Sequence, residues 1–530
     1  MKITLNHSKG FKWHTNNTLY FKGYFYVDAV FFEEEDAFNY LLKIKHSKEF
    51  KTILNSLDGV FTFIIIIEES YYIVSDLTRS FPIFYTFQNN ELFISDDIYY
   101  LKNTFKINNF DPLSEIEFIT SNHTHGKKTL LKNVYQVQAS EYLIVKKEII
   151  IHRNFFYSYA IKKEKPGSYS VLKSKAIIAF ENSFNRFINS LNNKTAVVPL
   201  SGGFDSRLIA VMLKKHHYKD VICYTYGRKD SFEIENSKKT AETLGFKWFF
   251  IEYKPQLIEG FLETNEFKKY VHFSGKLSSM PNLQEYFAIK FLSENQLIPK
   301  DSILIPGYAG DILGGSEFAN KIPVNLESKQ IASLILNKKL TNKVHSKKNK
   351  KTLKKEIEKN LLFFDSNFSK KIPETVYEDY NIKERIAKYI FNSANFYTFF
   401  NYEFRFPFWD QQLLDFFKTT PIKYKKTKML FDDVLIHEYF KPYQVYFETE
   451  LQPSKKTIYT QKIKNKIKPF LPTFIKQKIL QKNDWNNYKP LIDEITKKLN
   501  TKGLKISKSS KDYNEIITQW YIYYSKNMTP

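Results

Sequence analysis

The stretch that decides the reading of this chain is Val197–Leu213, VVPLSGGFDSRLIAVML. An apolar run enters Ser201-Gly202-Gly203-Phe204-Asp205-Ser206 and leaves as an apolar, helix-like segment. Adjacent glycines let backbone N–H groups approach an anion without obstruction from a Cβ. Ser201 and Ser206 add hydroxyl donors, and the following helix offers the positive end of its dipole. The expected ligand is a polyphosphate. The Walker pattern GxxxxGK[ST] does not occur at this junction, so the loop is not the ordinary one that hands over a γ-phosphate. A bare glycine turn between strand and helix is the competing reading, and the full hexapeptide between two such runs weighs against it.

Working outward, helical patterns alternate with buried-strand runs on both sides of the loop. Helix is expected over Val171–Leu191, Asp205–His216 and Glu233–Leu244, and strand over Thr195–Leu200, Val221–Tyr226 and Trp248–Glu252. That alternation predicts a parallel sheet wrapped by helices, with ligands at the C-terminal ends of the strands. Upstream, short aromatic and β-branched runs separated by turns (Leu19–Val27, Val60–Ile67, Tyr71–Val74, Ile83–Phe87, Leu92–Ile94, Tyr142–Val145) predict a mostly antiparallel, sheet-rich part. A polar stretch around Ile161–Ser170 reads as a linker, giving units over residues 1–160 and 170–530. From about residue 320 onward helix-like segments and lysine runs dominate.

The 530 residues suffice for two or more cores, and 49 Phe and 36 Tyr supply apolar material. The longest purely apolar stretches, such as Leu208–Leu213, fall far below the roughly 20 residues that span a bilayer. A soluble cytoplasmic protein is expected. Cys223 is the single cysteine, so neither an internal disulfide framework nor a cysteine-based zinc cluster is available, and the 11 histidines form no spaced ligand set. The net charge of +24 is uneven: residues 1–150 carry 16 Lys and Arg against 18 Asp and Glu, so the excess lies in the part that holds the glycine loop. Anionic substrates or nucleic acid would both suit it, while lysine runs such as Lys338–Lys359 read more simply as solvated surface.

The SGGxDS form resembles the loop of the ATP pyrophosphatases, which grips the β and γ phosphates so that attack falls on the α phosphorus. Several further segments, in the same order, resemble the asparagine synthetase family. Leu57-Asp58-Gly59-Val60-Phe61-Thr62-Phe63 is similar to its LDGxFAF strand. Ser75-Asp76 through Arg79, Pro82 and Tyr85 is similar to RDxxGxxPLYY, and Leu92–Ser95 to LxFASE. Glu233–Gly245 resembles the helix ending in AxxLG, Pro306–Gly315 (PGYAGDILGG) resembles SGEGADELFGG, and Glu403–Asp410 (EFRFPFWD) resembles ExRxPFxD. The resemblance implies an N-terminal amidohydrolase-like β-sandwich of α+β class, followed by an α/β parallel-sheet PP-loop synthetase domain with a helical C-terminal part.

It also implies ATP and Mg²⁺, with Asp205 and Asp311 as metal ligands. Ser201, Gly202, Gly203, Asp205 and Ser206 would hold phosphate, and Leu200, Tyr226, Pro306 and Gly307 would border the nucleotide. A lysine is expected to stabilise the charge that builds at phosphorus and at the tetrahedral intermediate. Position counting puts it at Lys455 or Lys456, with Lys455 favoured, and Lys428 matches a second lysine able to touch phosphate.

Two departures bear on the product. Glutamine-hydrolysing members expose an N-terminal cysteine, whereas position 2 here is Lys2, and Cys223 falls in a strand of the other half. A glutaminase-like scaffold without glutaminase chemistry is therefore expected. Where asparagine-forming members carry the glutamate of SGEGAD, this chain has Tyr308. A phenol near pKa ~10 is a poor base unless a carboxylate or cation tunes it. The β-lactam-forming branch resembles this chain in that tyrosine, but its partner glutamate has no assignable position in the sequence. The expected reaction is adenylation of aspartate or another small-molecule carboxylate, then amide formation with ammonia or an amine. The expected partners are the small-molecule carboxylate and nitrogen donor, with no membrane, nucleic acid disfavoured and a homodimer allowed. The alternative is a tRNA-modifying ATP pyrophosphatase, against which the LDGVFTF, PGYAGD and EFRFPFWD segments argue.

Overall fold

A computed structural model describes residues 1–318, 327, 330–340, 346–447, 472, 475, 479, 484–501 and 513–527. Eleven strands lie before residue 160: β1 (Lys2–Thr4), β2 (His14–Thr15), β3 (Leu19–Val27), β4 (Val30–Glu33), β5 (Leu57–Ile67), β6 (Ser70–Ser75), β7 (Phe84–Gln88), β8 (Glu91–Ser95), β9 (Val134–Gln136), β10 (Glu141–Lys146) and β11 (Ile149–Phe155). They form two sheets. One has the order β11-β10-β6-β5-β3-β2 with β4 paired to β3, and the other β1-β8-β7-β9.

Side-chain alternation along β5 builds the layers. Ile64 points toward the smaller sheet, where it joins Ile73, Ile83, Leu92, Ile94 and Leu143 in one apolar cluster. Phe61, Phe63 and Ile65 point the other way, onto Phe38, Leu41, Phe50 and Leu54 of helices α1 (Glu34–Leu41) and α2 (Ser47–Ser56). Both faces of β5 are covered, which is why it reads as a near-continuous apolar run. Gly23 of β3 has φ of +114°, and a Cβ there would stand 2.1 Å from the Val60 carbonyl oxygen, so the β3–β5 approach requires glycine at that position.

After an irregular segment at 161–168, helix α3 (Tyr169–Asn189) leads into the parallel sheet. Its strands are β12 (Ala196–Pro199), β13 (Val221–Gly227), β14 (Lys247–Glu252), β15 (Ile303–Leu304) and β16 (Glu403–Phe404), in the order β14-β13-β12-β15-β16. Helix α4 (Phe204–Lys215) connects β12 to β13, and α5 (Phe232–Leu244) connects β13 to β14. Helix α4 is buried continuously from Ser206 to Leu213. Helix α5 begins where Ser231 Oγ accepts the Glu233 N–H, and stops at Gly245 in the left-handed conformation, φ 74°. The expected helices and strands of this half are all present within two residues of their expected ends.

The chain moves outward from β12 through β13 and β14, then returns to the other side of β12 with β15 and β16. The loops after β12 and β15 therefore diverge, leaving a crevice at the C-terminal edge of the sheet where the strand order reverses. One apolar core runs without interruption from Tyr24, Val60 and Phe81 through the parallel sheet to Trp520 and Tyr521.

Candidate functional site

The crevice is a cavity of about 410 Å³. The loop after β12 forms its floor. Leu200 donates its N–H to the Tyr224 carbonyl at 2.8 Å, extending the strand pairing by one residue. The chain then turns back on itself: Ser201 N–H donates to Ser206 Oγ at 3.0 Å, and Gly203 N–H to Ser201 Oγ at 3.1 Å. Beneath the loop, fully buried Arg207 donates through Nη2 to the Gly202 carbonyl and through Nη1 to the Val445 carbonyl at 3.2 Å. Its guanidinium lies against the rings of Phe204 and Phe440, 5.4 and 4.9 Å from their centroids. The loop is thus fixed from below while the first turn of α4 faces the cavity with its positive dipole end.

Asp205 stands in that first turn. Its Oδ2 accepts the Asp311 N–H at 3.0 Å, whereas Oδ1 is buried with no hydrogen-bond partner among the described residues. Asp311 belongs to the short helix Gly310–Leu313, entered through Ala309 at φ 56°, a left-handed conformation unfavourable for a residue with a Cβ. A Cβ at Gly310 would stand 2.8 Å from Asp205 Cγ, and one at Gly307 would stand 2.9 Å from Ser206 N and 3.0 Å from Asp205 Cβ. Burial first, and the charge of Asp311 second, push the Asp205 carboxyl up to about 7, against the opposing pull of Lys428. Two carboxylates, one with an orphaned oxygen, is a donor set that fits a hard divalent cation.

Lys428 enters from the far wall, following Thr427 with both residues near φ 59°. Its Nζ pairs with Asp432 Oδ1 at 2.9 Å and lies 5.1 Å from the Phe204 ring centroid. Opposite it, Tyr226 stacks on Tyr253 with centroids 5.2 Å apart. Tyr308 caps the end of the cavity and donates to the Tyr397 hydroxyl at 3.5 Å; Tyr397 in turn donates to Glu285 Oε1 at 2.8 Å, which also accepts the Tyr224 hydroxyl. Burial, then the charge of Glu285, hold the Tyr308 phenol well above its ordinary range. The Glu285 carboxyl is itself pushed up to about 7, mainly by burial.

Of the residues expected from the sequence, Ser201, Gly203, Asp205, Ser206, Tyr226, Pro306, Gly307, Tyr308, Asp311 and Lys428 border one cavity. Leu200 and Gly202 sit behind its wall, as strand extension and as acceptor for Arg207. Lys455 and Lys456 lie outside the described residues. Sequence reasoning missed Glu285, because a glutamate in the run PNLQEYF carries no motif and only folding brings it to Tyr397. The EFRFPFWD segment serves another purpose. Arg405 pairs with Glu403 and with Glu33 of β4, each at 3.0 Å, and the Gln411 N–H donates to Asp58 Oδ2 at 2.8 Å. These contacts dock the parallel-sheet half onto the LDG strand. Cys223 of β13 is fully buried, which pushes its thiol up to about 12.

A glycine-rich, serine-latched loop at a topological switch point, with two aspartates and a lysine around it, is an arrangement that suits a polyphosphate. Residues 192–431, a little under half of the chain, match the family model described as Asparagine synthase. An 80-residue stretch is 39% identical to the 7-cyano-7-deazaguanine synthase of Sulfurihydrogenibium sp. (strain YO3AOP1), covering 14% of this chain and 36% of that relative. Among solved structures, the NH3-dependent NAD synthetase of Campylobacter jejuni subsp. jejuni is 17% identical, with a TM-score of 0.21, over 43% of this chain and 96% of that one. The NMN synthetase of Francisella tularensis is 14% identical, with a TM-score of 0.19, over 38% and 94%. Likenesses this loose assign no fold; the strand order of the parallel sheet does.

Proposed function

We propose that the protein is an ATP-dependent, AMP-forming carbon–nitrogen ligase, with a synthetase unit over residues 170–530 and a glutaminase-like unit over 1–160 that has lost its nucleophile. The observation that carries this reading is the single cavity in which the latched loop, the helix dipole, Lys428 and the Asp205–Asp311 pair converge. Such a loop grips the β and γ phosphates and leaves the α phosphorus open to a carboxylate. Asp205 and Asp311 would hold Mg²⁺, which supplies charge neutralisation for the departing pyrophosphate. Lys428, with Lys455 or Lys456, would offset the negative charge that builds at phosphorus.

Tyr308 fits the amine side of the reaction. A phenol held far above its ordinary range is neutral at physiological pH, so it cannot serve as a free phenolate base and can take a nucleophile's proton only by passing its own onward. A proton accepted at the Tyr308 oxygen has a route through Tyr397 to Glu285, whose carboxyl is poised near neutrality. The buried thiol of Cys223 is in the wrong half and the wrong ionisation range for glutamine hydrolysis, so free ammonia or an amine is the nitrogen donor. In keeping with a small-molecule ligase, no described helix is long and apolar enough to cross a membrane, and we take the cytoplasm as its place of action.

The test is product analysis with Mg²⁺-ATP, aspartate, and either ammonium or glutamine. Asparagine formed from ammonium but not from glutamine, and abolished in Asp205→Ala, supports a synthetase with a silent N-terminal half. Equal use of glutamine would overturn the loss of glutaminase chemistry. If aspartate is inert while ATP still binds, the same assay on other carboxylates identifies the acceptor; ATP binding that survives Asp205→Ala and Lys428→Ala unchanged would overturn the site.

A further inference from the structure

A further, partly enclosed space lies between the two halves, apart from the cavity at the parallel sheet. It holds about 20 Å³, room for one water-sized occupant. His7, Lys22 and Asp96 contribute from the N-terminal half, and Lys276 and Asn395 from the other. Lys22 and Lys276 are only 4% and 6% exposed. A lysine ammonium carries three donors. Lys22 Nζ donates to the His7 carbonyl at 2.6 Å, and Lys276 Nζ to Asn395 Oδ1 at 3.3 Å; among the described residues neither finds a second acceptor.

The carboxylate in the wall does not make up the difference. Asp96 accepts the N–H groups of Asn6 at 2.7 Å and His7 at 3.0 Å and the Trp13 indole at 2.8 Å, and it forms no ion pair with a lysine among the described residues. Aromatic rings cover the rest, with Phe81 5.2 Å from Lys22 Nζ and Phe273 5.1 Å from Lys276 Nζ. Burial pushes Lys22 down to about 8. It pushes Lys276 down to about 7, with Lys22 and Arg79 adding like-charge repulsion against the opposing pull of Asp96 and Asp97. His7, pushed down to about 4 by burial and by Lys276, is neutral and adds no cation. Asp97, the other nearby carboxylate, accepts the N–H groups of Tyr99 and Tyr100, so two desolvated ammonium groups whose neighbouring carboxylates are both taken up by N–H donors gain from an opposite charge placed beside them. A water could accept a hydrogen bond there but would leave the charge uncompensated.

We infer that this space is a binding site for a small monovalent anion of chloride size, gripped by Lys22 from one half and Lys276 from the other. The volume suits an ion of that size, and Lys22 and Lys276 both line the space, one from each side of the seam. The anion therefore ties the two halves together. This inference does not depend on the ligase reading.

The experiment is thermal denaturation of the full chain in sodium chloride, bromide or gluconate at matched ionic strength and neutral pH. The expected result is a saturable rise of about 2 °C or more with either halide over gluconate, absent in Lys276→Met. Crystals of the wild type in sodium bromide supply a readout that needs no variant. An anomalous peak between the Lys22 and Lys276 ammonium groups supports the site, while its absence at saturating bromide overturns it. An undiminished halide response in Lys276→Met also overturns it.

Discussion

Replacing Glu285 with glutamine isolates one charge at the end of the tyrosine chain. Glu285 is 5% exposed and accepts the hydroxyls of Tyr224 and Tyr397. The glutamine oxygen can accept both, but glutamine never ionises. The wild-type carboxyl is raised from 4.5 to about 7, so the fold keeps its full stability while the group is protonated, below the unfolded value. As pH rises, the unfolded chain releases this proton first, and stability falls until the folded group also ionises near 7. The span corresponds to at most about 3 kcal/mol, since relaxation and water entry reduce the penalty of real burial. Wild type and Glu285→Gln would be denatured in parallel from mildly acidic to mildly alkaline pH. The variant should gain on the wild type across that window and hold a constant lead above it. Turnover should fall about 10²-fold or more, because the proton route loses its acceptor, while ATP affinity changes little. A stability difference independent of pH would refute the buried-charge argument, and unchanged turnover would refute the proton route.

Three further outcomes follow from the same geometry. Gly310→Ala forces a Cβ to 2.8 Å from Asp205 Cγ, and with Asp205 Oδ2 tied to Asp311 the carboxylate must move; calorimetric ATP affinity should drop about tenfold or more with the circular dichroism spectrum unchanged. Asp311→Asn should raise the Mg²⁺ concentration for half-maximal turnover about tenfold, read from a metal titration at fixed ATP. Cys223 should resist iodoacetamide in the native protein and react only after unfolding, because its thiol is both buried and pushed up to about 12; mass spectrometry of alkylated protein, with and without denaturant, reads this directly.

The parallel sheet was legible because each of its first three strands is a complete apolar run bounded by a turn and followed by a helix-period segment. The strands β15 and β16 were not, since two-residue pairings such as Ile303–Leu304 with Ala196–Val197 leave no periodicity to read. Most of the residues proposed to face phosphate cluster in two motifs, PLSGGFDS and PGYAGD, and so were visible in the sequence. Glu285 was hidden because its meaning depends on hydrogen bonds from Tyr224, 61 positions away, and Tyr397, 112 positions away. The Lys22–Lys276 pair was hidden for the same reason. One lysine sits in an apolar strand and the other in a loop of the opposite half, and nothing in either neighbourhood marks it as buried.

The central claim is that the cavity directs attack at the α phosphorus of ATP. The most direct measurement follows label from α- and γ-labelled Mg²⁺-ATP in the presence of a panel of carboxylates. The account predicts labelled AMP and pyrophosphate, dependent on a carboxylate and lost in Asp205→Ala. Labelled ADP and orthophosphate, or pyrophosphate release that Asp205→Ala leaves intact, would contradict it.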